Sequence, residues 1–109
     1  MARRSGGWAP GRQKGGALVV VVDGELVAYI ERGGKTVLVF GDDPVALDHA
    51  VRAVVNYVQR GALDKLLIES INGVGAVEAE RSDGAVGFFV RALKENGFTS
   101  VPRGFRIWR

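Results

Sequence analysis

GALVVVVDGELVAYIERGGKTVLVF, residues 16–40, is the stretch whose reading decides the fold. Two β-prone runs, Ala17–Val22 and Glu25–Glu31, are separated by Asp23-Gly24 alone. An Asp-Gly pair between such runs is the strongest short-range hairpin signal, because both turn residues must take positive φ. Gly33-Gly34 then divides the second run from Thr36–Phe40. A meander of three antiparallel strands follows. The run Val19–Val22 does not alternate, which marks a strand buried on both faces or central in its sheet.

Downstream of the meander the periodicity changes. Asp42-Asp43-Pro44 is a helix start, with an Asp at the N-cap and a proline at N1, where its missing N–H is no loss. Leu47, Val51, Val54, Val55 and Val58 form one stripe at helical spacing, and Gly61 stops it. Asp48 and Arg52 are placed for an i,i+4 ion pair on the solvent side, and the lone histidine, His49, for a partly exposed position on the same helix. Lys65–Ile71 reads as a strand that turns through Asn72-Gly73 into Val74–Glu78. Ser82 or Asp83 caps a second helix with Val86, Phe89, Val90 and Leu93 on its apolar side, ended by Gly97. Thr99–Trp108 is a last extended segment, in which Pro102 argues for an edge strand or a bend. The expected class is α+β: an antiparallel meander in the order β-β-β-α-β-β-α-β, packed against helices near 44–60 and 82–96. Residues 1–16 read as a basic, Gly-rich linker or arm, in which Trp8 is apolar surface in want of a neighbour. Residues 17–109 read as one domain.

Composition narrows the chemistry. The 109 residues include no cysteine and one histidine, which excludes disulfides, thiolate zinc sites, cysteine nucleophiles and histidine-rich metal centres. Lack of cysteine also fits a cytoplasmic location. The longest apolar run, Ala17–Val22, is far short of the ~20 residues of a membrane-spanning helix, so no membrane partner is expected. The net charge of +3 is unevenly spread: residues 1–16 carry +4, residues 17–100 carry −4 and residues 101–109 carry +3.

Motifs for catalysis fail on inspection. Gly34-Lys35-Thr36 imitates the end of a phosphate-binding loop, but the glycine required five residues before Gly34 is Tyr29, and strands flank it on both sides. The pattern Gly73-x-Gly75-x-x-Glu78 lacks the third glycine of a dinucleotide fingerprint. The carboxylates Asp23, Glu25, Glu31, Glu69, Glu78 and Glu80 are accounted for by a turn and by the polar face of a sheet. No catalytic residue, metal ligand or cofactor is assigned, and the chain is expected to hydrolyse no ATP.

The C-terminus is more suggestive. Arg103, Arg106 and Arg109 interleave with Phe105, Ile107 and Trp108. Such interleaving suits nucleic acid, with guanidinium on phosphate and ring on base. By period two, Phe105, Ile107 and Arg109 share one face, and Arg106 and Trp108 the other. The competing expectation is a strand whose Trp108 is buried and whose arginines pair with Glu69, Glu78 or Glu80. Arg32 and Lys35 join the cationic cluster if the Gly33-Gly34 turn lies beside it. The candidate nucleic-acid-binding set is therefore Arg103, Arg106, Trp108, Arg109, Arg32 and Lys35.

Three stretches taken together resemble the extreme C-terminal segment of the bacterial Lhr (large helicase-related) proteins. They are residues 16–40, quoted above, GALDKLLIESINGVGA (61–76) and ALKENGFTSVPRGFRIWR (92–109). The specific parts are Val22-Asp23-Gly24, Tyr29 through Gly34, and Gly97-Phe98 with Pro102-Arg103-Gly104, all turns and core. The resemblance implies a non-motor accessory domain at the end of an ATP-dependent helicase that moves 3′-to-5′ on single-stranded DNA and is associated with DNA repair. It implies ATP and Mg in the parent protein and none here. Implied partners are single-stranded DNA or a DNA/RNA hybrid, reached through the parent, and the preceding domains of the same chain. Two alternatives stand beside it: part of a glycosylase-like repair module, for which the Gln-x-Gln motif of that class is absent, and a purely structural cap that joins copies of the chain.

Overall fold

The structure, a computed structural model, describes residues 9–12 (backbone alone), 17–61 and 65–108. Asp23 and Asn72 are its only described non-glycine residues at positive φ, 52° and 53°, and each opens one of the two expected tight turns. The strands are β1 (Ala9–Arg12), β2 (Leu18–Val22), β3 (Glu25–Ile30), β4 (Thr36–Val39), β5 (Lys65–Ile68), β6 (Ser70–Ile71), β7 (Val74–Gly75), β8 (Thr99–Val101) and β9 (Gly104–Trp108). The helices are α1 (Pro44–Gln59), α2 (Ala76–Ala79) and α3 (Gly84–Glu95). A six-stranded sheet runs β1-β2-β3-β4-β6-β7 and a three-stranded sheet runs β5-β9-β8. The class is α+β as expected, with β4–β6 the one parallel pair among antiparallel ones in the described residues.

That parallel pair has a local cause. Lys65–Ile71 is not one strand, as its sequence suggested, but two, broken at Glu69. The amides of Glu69 and Ser70 both donate to the Lys35 carbonyl, at 2.9 and 3.0 Å. The chain therefore crosses from the small sheet to the large one within a single residue. Ser70–Ile71 then lies parallel to Thr36–Val37. Asn72 closes the junction: its Oδ1 accepts from the Val39 amide at 2.7 Å and its Nδ2 donates to the Val39 carbonyl at 3.3 Å.

Two other expectations are corrected. The predicted strand Val74–Glu78 stops at Gly75, and Ala76–Ala79 is a helical turn. Its partner β6 supplies only two residues, so the ladder ends at Ser70↔Gly75, and the alanine-rich continuation coils and buries Ala79. The final segment is not one interrupted strand but the hairpin β8–β9, with Pro102 and Arg103 in its turn. Pro102 thus marks a bend, and β9 is central rather than an edge, with β5 on its other side. Within the expected arm, Ala9–Arg12 pairs with β2 along its whole length. Trp8 lies outside the described residues. Flanked by β1 and β3, β2 is central, and its valines alternate between buried and half-buried.

The helices form where read. The Asp43 carboxylate accepts from the Val45 amide at 3.0 Å, Pro44 opens α1, and Gly61 follows its C-cap residue Arg60. α1 buries Leu47, Ala50, Val51, Ala53, Val54 and Val58, while Val55 is half-buried. Asp83 stands at the N-cap of α3 without a side-chain bond, and Phe89, Val90, Ala92 and Leu93 are buried. The Asp48–Arg52 pair is present at 3.0 Å. Asp48 also accepts from Asn96 Nδ2 at 2.9 Å, which ties α1 to the end of α3. His49 is half-buried on α1.

Glu80 connects α2, α3 and β8. It accepts from Ser100 at 2.7 Å and from Lys94 at 3.0 Å. The Ser100 hydrogen bond first, then Lys94, holds its carboxyl below the ordinary 4.5. A depressed carboxylate contributes stability that is present above its unfolded value and lost as pH falls through the folded one. We therefore expect Glu80→Gln to flatten the loss of thermal stability below about pH 4.5. Melting temperatures from pH 7 to 3 check this, and an unchanged acid limb would refute it.

Candidate nucleic-acid interface

β9 sets the candidate site. Phe105 and Ile107 point into the core, at 0% and 7% exposure, and Arg106 and Trp108 point out. The alternation expected for residues 105–108 holds; Arg109 lies outside the described residues. Register brings neighbours to the outer face: Trp108 sits opposite Lys65, and Arg106 lies between Leu67 on β5 and Thr99 on β8.

Trp108 is 55% exposed, against the competing expectation, in which it is buried. The Arg106 guanidinium carbon stands 4.0 Å from its ring centroid, a cation–π stack. The stack holds an indole that remains more than half exposed. Arg106 Nε is buried and makes no hydrogen bond. A groove of about 670 Å³ runs beside this pair, lined by Gly33, Lys65, Leu66, Leu67, Val101, Pro102, Arg103 and Arg106. A smaller hollow of about 300 Å³ is lined by Gly97, Thr99, Arg106, Ile107 and Trp108. Three cations and no acid line the larger groove among the described residues.

The competing expectation is met in one place. Arg103 pairs with Glu69 Oε2 at 3.3 Å, with 76% of its side chain exposed. A pair so exposed is worth about 0–1 kcal/mol and is readily exchanged for a phosphate. Glu80 is held instead by Lys94 and Ser100.

The Gly33-Gly34 turn does lie beside the cluster. Arg32–Gly34 is a turn of 3₁₀ helix packed on β5. Gly34 is buried so closely that a Cβ there would stand 2.7 Å from Leu66 Cδ2. Gly33 lines the groove, whereas Arg32 and Lys35 are exposed on its shoulder and do not line it. Lys65 was not singled out from the sequence. Its only signal there was a charge at the start of a strand; its place opposite Trp108 depends on the pairing of β5 with β9, which are separated by some forty residues.

Cations and an exposed indole beside a groove are chemistry suited to binding a phosphate-bearing, aromatic ligand. Among the described residues, no group of three His, Asp or Glu could hold a metal ion, and no helix is long and apolar enough to cross a membrane.

No family model matches the chain. A protein of Mycolicibacterium smegmatis named as an Lhr helicase and probable uracil glycosylase is 43% identical to it over 102 residues. The chain is related to an Lhr helicase. The match takes in 90% of the chain and 6% of the relative, so the chain corresponds to a small part of that Lhr protein. The Lhr resemblance read from residues 16–40, 61–76 and 92–109 is thereby borne out, and the groove lies where two of those stretches meet the third.

Proposed function

We propose that this chain is a non-motor accessory domain from the C-terminal end of an Lhr-type, ATP-dependent DNA helicase acting in DNA repair in the cytoplasm. It engages a single strand of nucleic acid on the outer face of the β5-β9-β8 sheet. The observation that carries this reading is the exposed Trp108, stacked on Arg106 beside a groove lined by Lys65, Arg103 and Arg106. Phosphates follow the cations, and an unpaired base stacks on the exposed indole. ATP and Mg belong to the motor elsewhere in the parent protein. The glycosylase part of the relative's name is best assigned to another segment, since no acid lines this groove among the described residues.

Titration of the chain with a fluorescent single-stranded oligonucleotide at several salt concentrations tests the reading. Lys65→Ala, Arg103→Ala and Arg106→Ala together are expected to weaken binding at least tenfold. Each lost phosphate contact also lowers the slope of log K against log salt by about 0.7. Unchanged affinity and slope in a folded variant would make the domain a structural cap.

A further inference from the structure

On the β8 side of β9 lies the smaller hollow, of about 300 Å³, a volume at the small end for ligand sites. Its origin is local. Arg106 pairs with Thr99, and two residues farther along each antiparallel chain stand Trp108 and Gly97. Gly97 ends α3 at φ 105° and brings no side chain to the place beside the indole. A Cβ built there would meet Ile107 Cδ1 at 3.7 Å and nothing nearer. Thr99 is exposed and forms the outer wall.

Arg106 borders both this hollow and the cationic groove. Its guanidinium carbon is held 4.0 Å from the indole centroid, and among the described residues no carboxylate pairs with it. A guanidinium offers donors in one plane and no acceptor. On the groove side those donors suit a phosphate. On the hollow side they suit the carbonyl oxygen of a flat ring lying against Trp108. Guanine and thymine carry such an oxygen where adenine carries an amino group, itself a donor. We propose that the hollow is a pocket for one nucleobase bearing a carbonyl oxygen, guanine or thymine in preference to adenine, with Arg106 between this base and the phosphates in the groove. The pocket presupposes the single-strand binding proposed above and makes Arg106 the residue that selects the base.

Short abasic deoxyribose-phosphate strands carrying one thymine, one guanine, one adenine or no base at a central position test this with the 109-residue chain. One thymine or guanine is expected to tighten binding roughly tenfold over the bare strand, and one adenine less than about twofold. Thr99→Leu fills the hollow from its exposed wall. It should remove the base advantage while the bare strand keeps its affinity and salt slope. The base series on the unaltered chain decides the matter even where that variant does not fold. Bare strands that bind, and that lose affinity on Lys65, Arg103 and Arg106→Ala, with no gain from any base would overturn the pocket and leave the groove standing. Equal gains from adenine and thymine overturn base selection by Arg106, and a base advantage that persists in folded Thr99→Leu overturns the hollow as its seat. Failure of every strand to bind overturns the pocket and the single-strand reading together.

Discussion

Gly104→Ala is expected to cost about 3–5 kcal/mol, a large part of the 5–15 kcal/mol that holds a domain of this size together. Gly104 opens β9 with φ at 156°, where a side chain is strained. A Cβ built there would lie 2.0 Å from the Ile68 carbonyl oxygen and 2.9 Å from its carbon. Those are backbone atoms of β5, and they cannot rotate away as the end of a side chain does. Relief requires β9 to move from β5, which breaks the register from Phe105↔Ile68 onward and opens the packing around Phe105. Gly34→Ala is a useful contrast, because its closest obstacle is the end of the flexible Leu66 side chain. Urea unfolding of both variants against the starting chain checks the argument. A Gly104→Ala midpoint within about 1 kcal/mol of the original would show that the two strands do not approach as described.

The same residue shows what a sequence can and cannot yield. Pro102 was legible only as an edge strand or a bend in one extended segment, where the chain in fact makes a hairpin; Asp23-Gly24 was legible as a turn, because turn chemistry is written in adjacent residues. The helices were legible for the same reason: Asp43, Pro44 and the stripe from Leu47 to Val58 are local. What could not be read is pairing across distance. The break at Glu69 depends on the Lys35 carbonyl, a partner more than thirty residues away. Val74–Glu78 has the residues of a strand, yet its partner is two residues long and the chain coils instead. The site divides along the same line. Period two placed Arg106 and Trp108 together and Phe105 and Ile107 opposite, as they are. It had no means of finding Lys65 opposite Trp108, or of choosing Glu69 over Glu78 and Glu80 as the partner of Arg103, because both depend on the non-local register of the small sheet.

Adjacent positions on β9 should therefore behave in opposite ways. Phe105 is fully buried among the largest side chains of the core, together with Phe89, Leu47 and Leu93. Phe105→Ala removes its transfer energy and leaves a cavity that the surrounding strands cannot fill, because β5 and β8 hold β9 on both sides. The expected loss is about 3–5 kcal/mol, with nucleic-acid affinity unchanged in whatever fraction stays folded. Trp108→Ala removes a larger side chain from the other face, where it is 55% exposed and touches Arg106. It gives up the cation–π contact, about 0.5–1 kcal/mol at an exposed site, and leaves no internal cavity. Its stability should stay within about 1 kcal/mol of the original, while oligonucleotide binding falls by the 1–3 kcal/mol of a lost base stack. Denaturation and titration of both variants separate the faces. Should Trp108→Ala unfold the domain as Phe105→Ala does, the indole is packed rather than presented, and the outer face of the small sheet is not a binding surface.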